Sequence, residues 1–134
     1  RMRQYCENAL TVAKFLESSD KIASVRYPAL PGNEHYERAQ KYLPMGTSGV
    51  MSIDIKGGRA PAMKFMDSLK LACNEVHVAD IRTCVLHPAS ETHRQLTDEQ
   101  LVAAGIEPGM VRISVGLENV EDIIADLKQA LDQI

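Results

Sequence analysis

Apolar and polar positions along this chain switch between a helical period and a period of two, and the switches mark the elements. Tyr5, Ala9, Val12 and Leu16 recur at helical spacing with Ala13 beside them. That predicts a helix from the first residues to about Ser18, where Ser18-Ser19-Asp20 breaks it. Ile22 to Tyr27 reads as a short strand closed by Pro28. After the Pro31-Gly32-Asn33 turn, Asn33 is a candidate N-cap for a helix carrying Tyr36, Ala39 and Leu43 inward and ended by Pro44. Met51, Ile53 and Ile55 alternate with Ser52, Asp54 and Lys56, a half-buried strand. Gly57-Gly58 turns the chain, and Pro61 sits near the start of a helix with Ala62, Phe65, Met66 and Leu69 on one face. Residues 71–80 predict a short strand and then an irregular loop, and Val85-Leu86 another short strand before His87-Pro88.

The last third is the most explicit. Thr97 with Gln100 three residues on has the spacing of a capping box. Gly105 is placed to end that helix as a C′ residue, and Glu107-Pro108-Gly109 turns into a strand. In Met110 to Val115, Val111, Ile113 and Val115 point to one face, and Met110, Arg112 and Ser114 to the other. Val120, Ile123, Ile124, Leu127, Ala130 and Leu131 then fall at helical spacing, with Glu121 and Asp122 complementing the positive helix start. The mixture predicts an α+β sandwich: a small, mostly antiparallel sheet covered on one face by helices, its second face left for something else to cover.

Arg112 lies on that second face. A guanidinium is planar, permanently charged and built to bind a carboxylate through two parallel hydrogen bonds. Spacing alone favours an ordinary solvated arginine, because exposed arginines are common; the anion-binding alternative stays open.

Length and composition narrow the class. At 134 residues, 45% hydrophobic and 25% charged, the chain suits one domain with a single core. No apolar run approaches the ~20 residues of a membrane-spanning helix, and no basic segment precedes an apolar stretch, so neither a membrane anchor nor a signal peptide is expected. The net charge of −3 gives no electrostatic reason to expect nucleic acid. Residues 1–70 hold eleven Lys/Arg and seven Asp/Glu, and 71–134 hold four and eleven, without a cluster of either sign. Cys6, Cys73 and Cys84 are odd in number and irregularly spaced, which suits reduced thiols in the cytoplasm. The opening helix begins in mid-pattern, which suggests a piece of a longer protein.

No complete catalytic set is visible. Cys84, His87 and His93 form C-x2-H-x5-H, which lacks the paired, four-ligand spacing of a zinc site, so no metal is expected. Nothing marks a third group to orient a Cys–His pair, and the two histidines read as structural hydrogen-bonding residues of a loop. The glycines match no phosphate-binding loop.

Three stretches nevertheless carry a family likeness: RMRQYCENAL, VLHPASETH and GIEPGMVRISVGLENVEDIIADLKQAL. Together with YPALPGNEHYERAQKYLP and SIDIKGGRAPAMKFMDSLKL, they resemble, in order and over essentially the whole chain, the C-terminal part of the pyridoxal-phosphate enzymes of cysteine and methionine metabolism. DIRTCVLHPAS looks most like the O-acetylhomoserine sulfhydrylase branch. The resemblance implies that residues 1–134 are the small C-terminal domain of a fold-type I enzyme, with residues 1–18 a helix continuing from a large N-terminal domain. In the family the cofactor lysine follows Ser or Thr. Here Lys14, Lys21, Lys41, Lys56, Lys64, Lys70 and Lys128 follow Ala, Asp, Gln, Ile, Met, Leu and Leu. Catalytic and cofactor-binding residues are therefore expected outside this chain, pyridoxal phosphate in the longer parent only, and no turnover from the isolated chain. The family's V-R-[LI]-S-V-G arginine, which binds the substrate α-carboxylate, falls on Arg112. His77 falls in a loop facing the substrate, where lyases have Ser and sulfhydrylases usually Asn; for it, a tolerated loop substitution stays open beside a substrate contact. Ala79 in place of the usual Gly, and Gly46-Thr47-Ser48-Gly49 in place of an aromatic-containing G-F-G-G loop, are departures. The implied parent is a cytoplasmic homo-oligomer, a homotetramer, that makes homocysteine from an O-acylated homoserine. A cystathionine synthase, a γ- or β-lyase, or a non-catalytic α+β module with Arg112 as anion anchor are the alternatives.

Overall fold

The computed structural model describes all 134 residues. Five helices and five strands follow in the order α1 (Met2–Glu17), β1 (Ile22–Arg26), α2 (Tyr36–Tyr42), β2 (Val50–Ile55), α3 (Arg59–Ser68), β3 (Cys73–Asn74), β4 (Cys84–Leu86), α4 (Asp98–Ala103), β5 (Met110–Ser114) and α5 (Val120–Leu131). No helix is long and apolar enough to cross a membrane.

The strands form one sheet in the order β1-β2-β5-β4-β3, antiparallel except for the β3–β4 pair. The α+β reading therefore holds, with the sheet mostly antiparallel. β5, the last strand in sequence, sits at the centre of the sheet between β2 and β4. Period-two alternation sends Met51, Ile53 and Ile55 of β2, and Val111 and Ile113 of β5, into a core shared with Val12 and Leu16 of α1, Phe65 of α3 and Leu127 of α5. Enclosing a side chain such as Phe65 contributes about 1.5–3 kcal/mol.

Helix boundaries follow local chemistry. Thr97 Oγ1 accepts from the Gln100 amide and Gln100 Oε1 from the Thr97 amide, closing the expected capping box. Gly105, at φ +80°, takes the left-handed conformation that ends α4. Helix α2 departs from expectation. Its N-cap is His35, while Asn33 Oδ1 accepts from the His35 amide in a turn just before it. Of Tyr36, Ala39 and Leu43, only Ala39 is buried, and Leu43 is half exposed. A helix of 7 residues has too little length to present a full apolar stripe.

Buried polar groups fasten the layers. Asp126 of α5 accepts three backbone hydrogen bonds, from Lys70, Leu71 and Ala72 at 2.8–2.9 Å, fixing the run into β3. Asn8 of α1 donates to the carbonyls of Gly116 and Glu118, both at 3.0 Å, and so ties α1 to the end of β5. At Gly116 an added Cβ would lie 2.5 Å from the Ile81 carbonyl oxygen, an approach only glycine allows.

The second sheet face is less bare than its pattern suggests. Ser114, Cys84 and Leu86 lie on it and are buried. One reason is local: residues 76–80 fold back over it, and the Ala79 amide donates to Ser114 Oγ at 3.0 Å.

Candidate functional site

Arg112 is the third residue of β5, with Ser52 of β2 on one side and Leu86 of β4 on the other, and Arg26 beyond Ser52. All four side chains therefore share the face opposite α1, α3 and α5. One Nη of Arg112 donates to the Val76 carbonyl at 2.7 Å. Its Nε is enclosed and has no partner. Arg26, Arg59 and Arg82 each close an ion pair, with Asp54 at 2.7 Å, Asp98 at 2.6 Å and Glu75 at 3.1 Å. Arg112, half-buried, has no carboxylate within ion-pairing distance. A desolvated guanidinium edge with an open donor is costly unless an acceptor meets it.

The 75–82 segment beside it is a charged knot. His77 Nδ1 lies 2.7 Å from Glu75 Oε2 and 3.8 Å from Asp80 Oδ2. Arg82 reaches both carboxylates, Glu75 at 3.1 Å and Asp80 at 3.2 Å. The hydrogen bonds from Arg82, first from its side chain and then from its backbone, hold the Asp80 carboxyl down at about 2. The Asp80 carboxylate in turn pushes the Arg82 guanidinium up. Tyr5 of α1 donates to the Asp80 carbonyl at 3.1 Å, and Ala79 adopts φ +60°, a strained conformation for a residue with a Cβ. The loop is thus pinned to the sheet on several sides while His77 stays 58% exposed.

Of the two residues singled out in the sequence, Arg112 holds the carbonyl of Val76, the residue next to His77, and His77 itself meets Glu75 and Asp80. Glu75, Asp80 and Arg82, which organise His77, were not singled out. The available signal was their charge density within eight residues of loop, but nothing local shows which charges pair. Asp54 was also passed over: its Oδ2 accepts from Ser24 Oγ and Arg26, both at 2.7 Å, and its Oδ1 is enclosed without a partner.

The other candidates serve the fold. His87 is fully buried, Nε2 2.7 Å from the Pro108 carbonyl and Nδ1 2.8 Å from Ser90 Oγ. A carbonyl only accepts, so Nε2 carries the proton and Nδ1 accepts from the hydroxyl. Burial pushes the His87 imidazole down and the Cys84 thiol up, which leaves Cys84 a poor nucleophile. His93 is exposed. No three His, Cys, Asp or Glu side chains are grouped to hold a metal ion. The two roomiest hollows, about 470 and 490 Å³, are open grooves lined by residues such as Asp54 and Lys56 or Leu30 and His35, and Arg112 lines neither.

Residues 1–132 match the family model described as Cys/Met metabolism PLP-dependent enzyme. The chain belongs to this family. It is 44% identical over 135 residues to an O-acetyl-L-homoserine sulfhydrylase of Leptospira meyeri, covering 100% of this chain and 30% of that protein. It is 45% identical over 134 residues to an L-methionine gamma-lyase of Porphyromonas gingivalis, covering 100% of this chain and 33% of that one. Among solved structures, a Campylobacter jejuni protein described as an O-acetylhomoserine (thiol)-lyase, carrying a pyridoxyl-lysine phosphate, superposes with a TM-score of 0.90 at 38% identity. That match covers 98% of this chain and 31% of the other. The chain thus spans about a third of the length of these relatives.

The family is pyridoxal-phosphate-dependent, and the residues in hand fit only part of such a site. Six of the seven lysines are exposed, and Lys21 donates to the Ile134 carbonyl, so no amine sits in a desolvated pocket. Arg112, without a carboxylate of its own, is the one arginine of the sheet left free to meet an outside anion.

Proposed function

We propose that this chain is the C-terminal small domain of a longer pyridoxal-phosphate-dependent enzyme that makes homocysteine from an O-acylated homoserine and a sulfur nucleophile. The observation that carries the reading is Arg112: a half-buried guanidinium on the sheet face opposite α1, α3 and α5, with no carboxylate of its own. Its edge suits the α-carboxylate of an amino-acid substrate, held bidentately so that the reacting bonds are oriented. The cofactor, when bound, supplies the electron-withdrawing chemistry; this chain contributes binding and orientation. His77, beside Arg112 on its tethered loop, faces the same substrate.

The reading includes a large N-terminal domain continuous with α1, which brings the cofactor lysine, and a cytoplasmic homotetramer. The three free cysteines agree with a reducing compartment. A methionine γ-lyase is the second reading, favoured by the 45% identity to the Porphyromonas enzyme. Assaying the full-length protein with O-acetylhomoserine plus sulfide, against methionine and cystathionine, separates the two. Homocysteine from the first pair supports the sulfhydrylase; turnover of methionine alone overturns it.

A further inference from the structure

Cys73 and Cys84 are neighbours across the sheet. They are register partners in the parallel β3–β4 pair, and the Cys73 amide donates to the Thr83 carbonyl at 2.9 Å. Register partners send their side chains to the same face, so both thiols stand together on the face of Ser114, the partner of Cys84 on β5. Neighbouring strands lie about 4.8 Å apart, within the roughly 4.4–6.8 Å between Cα atoms that a disulfide spans. Arg82 lies against both sulfurs: its Nη1 is 3.9 Å from Cys73 Sγ, and its carbonyl is 3.6 Å from Cys84 Sγ. Both thiols are free. Strand β3 has only 2 residues and forms the edge of the sheet, so it can shift toward β4 without disturbing a further strand.

The two thiols differ in access. Cys73 is partly exposed, whereas Cys84 is buried, and burial, with the Asp80 charge behind it, pushes the Cys84 thiol up. An oxidant from solution therefore meets Cys73 first, and Cys84 is held beside it to resolve the product. We propose that Cys73 and Cys84 form an oxidisable dithiol, a modification site for a hydroperoxide that closes as a reversible disulfide. In the first step the Cys73 sulfur attacks the terminal oxygen of the hydroperoxide. An S–O bond forms and the O–O bond breaks. The alcohol, or water from hydrogen peroxide, leaves with the thiol proton, and Cys73 becomes a sulfenic acid. The Arg82 guanidinium beside this sulfur can meet the charge that develops on the departing oxygen. In the second step Cys84 Sγ attacks the Cys73 sulfur. The S–S bond forms, the S–O bond breaks, and hydroxide leaves with the Cys84 proton as water. The hydroperoxide has then taken both electrons. Proximity across one strand spacing offsets the weak nucleophilicity of the enclosed thiol. The bond joins the two ends of the 74–83 loop, whose Val76 carbonyl takes the Arg112 hydrogen bond. Neither cofactor nor substrate takes part, so the site is independent of the proposed activity.

The test treats the full-length protein with hydrogen peroxide, alkylates the remaining thiols and digests with trypsin in the absence of reductant. Cleavage after Lys70, Arg82 and Arg94 puts Cys73 in peptide 71–82 and Cys84 in peptide 83–94. Only a disulfide then keeps the two together. Mass spectrometry should find the joined pair, less two hydrogens, and dithiothreitol should separate it. Cys84→Ala, a small apolar replacement at the buried position, should lose the pair and accumulate Cys73 sulfenic acid, trapped with dimedone. Cys73→Ser, at the partly exposed edge, should lose the pair and leave Cys84 unlabelled by dimedone. A wild-type protein in which the pair never forms, or in which Cys73 runs on to sulfinic acid or joins another cysteine, overturns the dithiol. Dimedone labelling of Cys84 in Cys73→Ser as fast as that of Cys73 in Cys84→Ala overturns it too. The wild-type peptide map decides the first point even where a variant fails to fold.

Discussion

Arg112 of the central strand and Val76 of the loop are 36 residues apart in sequence, yet the guanidinium donates to the Val76 carbonyl at 2.7 Å. One side chain thereby serves two purposes. It anchors the segment that carries His77, and the rest of its donor edge lies on the sheet face opposite α1, α3 and α5.

Replacing Arg112 by lysine should separate these roles in the full-length enzyme. An ammonium can still reach one acceptor but cannot form two parallel bonds. The KM for the amino-acid substrate should rise by roughly 10- to 100-fold, the equivalent of about 1.5–3 kcal/mol for charge-assisted hydrogen bonds. Initial-rate kinetics measure this, and an unchanged KM would remove Arg112 from substrate binding.

Asp126→Ala should be the most damaging polar change. It leaves the amides of Lys70, Leu71 and Ala72 without their acceptor, the last of them buried, since all three donate to this carboxylate. A loss of about 2–4 kcal/mol is expected, seen as a lower denaturation midpoint in urea at unchanged slope. A shift below ~0.5 kcal/mol would show that water replaces the carboxylate.

His87 should make the fold sensitive to mild acid. Its folded value is lowered from 6.5, chiefly by burial and also by the Arg59 charge, against the hydrogen bond to Pro108. Above pH 6.5 the ring is neutral folded or unfolded, and its contribution is fully present. Below that the unfolded chain takes up a proton that the folded one resists, so stability falls as pH drops through the folded value. Asp80, held at about 2 against an ordinary 3.8, weakens the fold only in much stronger acid. Thermal midpoints between pH 7 and roughly pH 5 should fall in the wild type and flatten in His87→Gln, whose amide can still donate to Pro108. Parallel curves would contradict this assignment.

Adding stoichiometric pyridoxal phosphate to the isolated chain should produce no new visible absorbance band and no turnover, because its lysines lie at the surface. A stable band would mean that one of them binds the cofactor covalently.

Much of this molecule could be read residue by residue. The stripe of Tyr5, Ala9, Val12 and Leu16, the Thr97–Gln100 cap and the alternation around Arg112 each depend on neighbours within a turn or two of chain. Physics at that range is local, so the elements and the face of Arg112 followed directly. Helix α2 failed for the complementary reason. Its apolar spacing was legible, but whether Tyr36 and Leu43 find anything to pack against depends on elements distant in sequence. That Arg112 has no carboxylate partner was likewise not legible, because ion pairing depends on which charges the fold brings near it.

Chain-local order thus settled the helices, the strand faces and the likeness to a pyridoxal-phosphate family. Folding in three dimensions settled who meets whom. The partners of Asp126 lie 54–56 residues away, those of Asn8 108 and 110, and Val76 reaches Arg112 across 36. Such pairings arise from strand register and layer packing, which sum weak contacts over the whole domain and leave no mark at any one position.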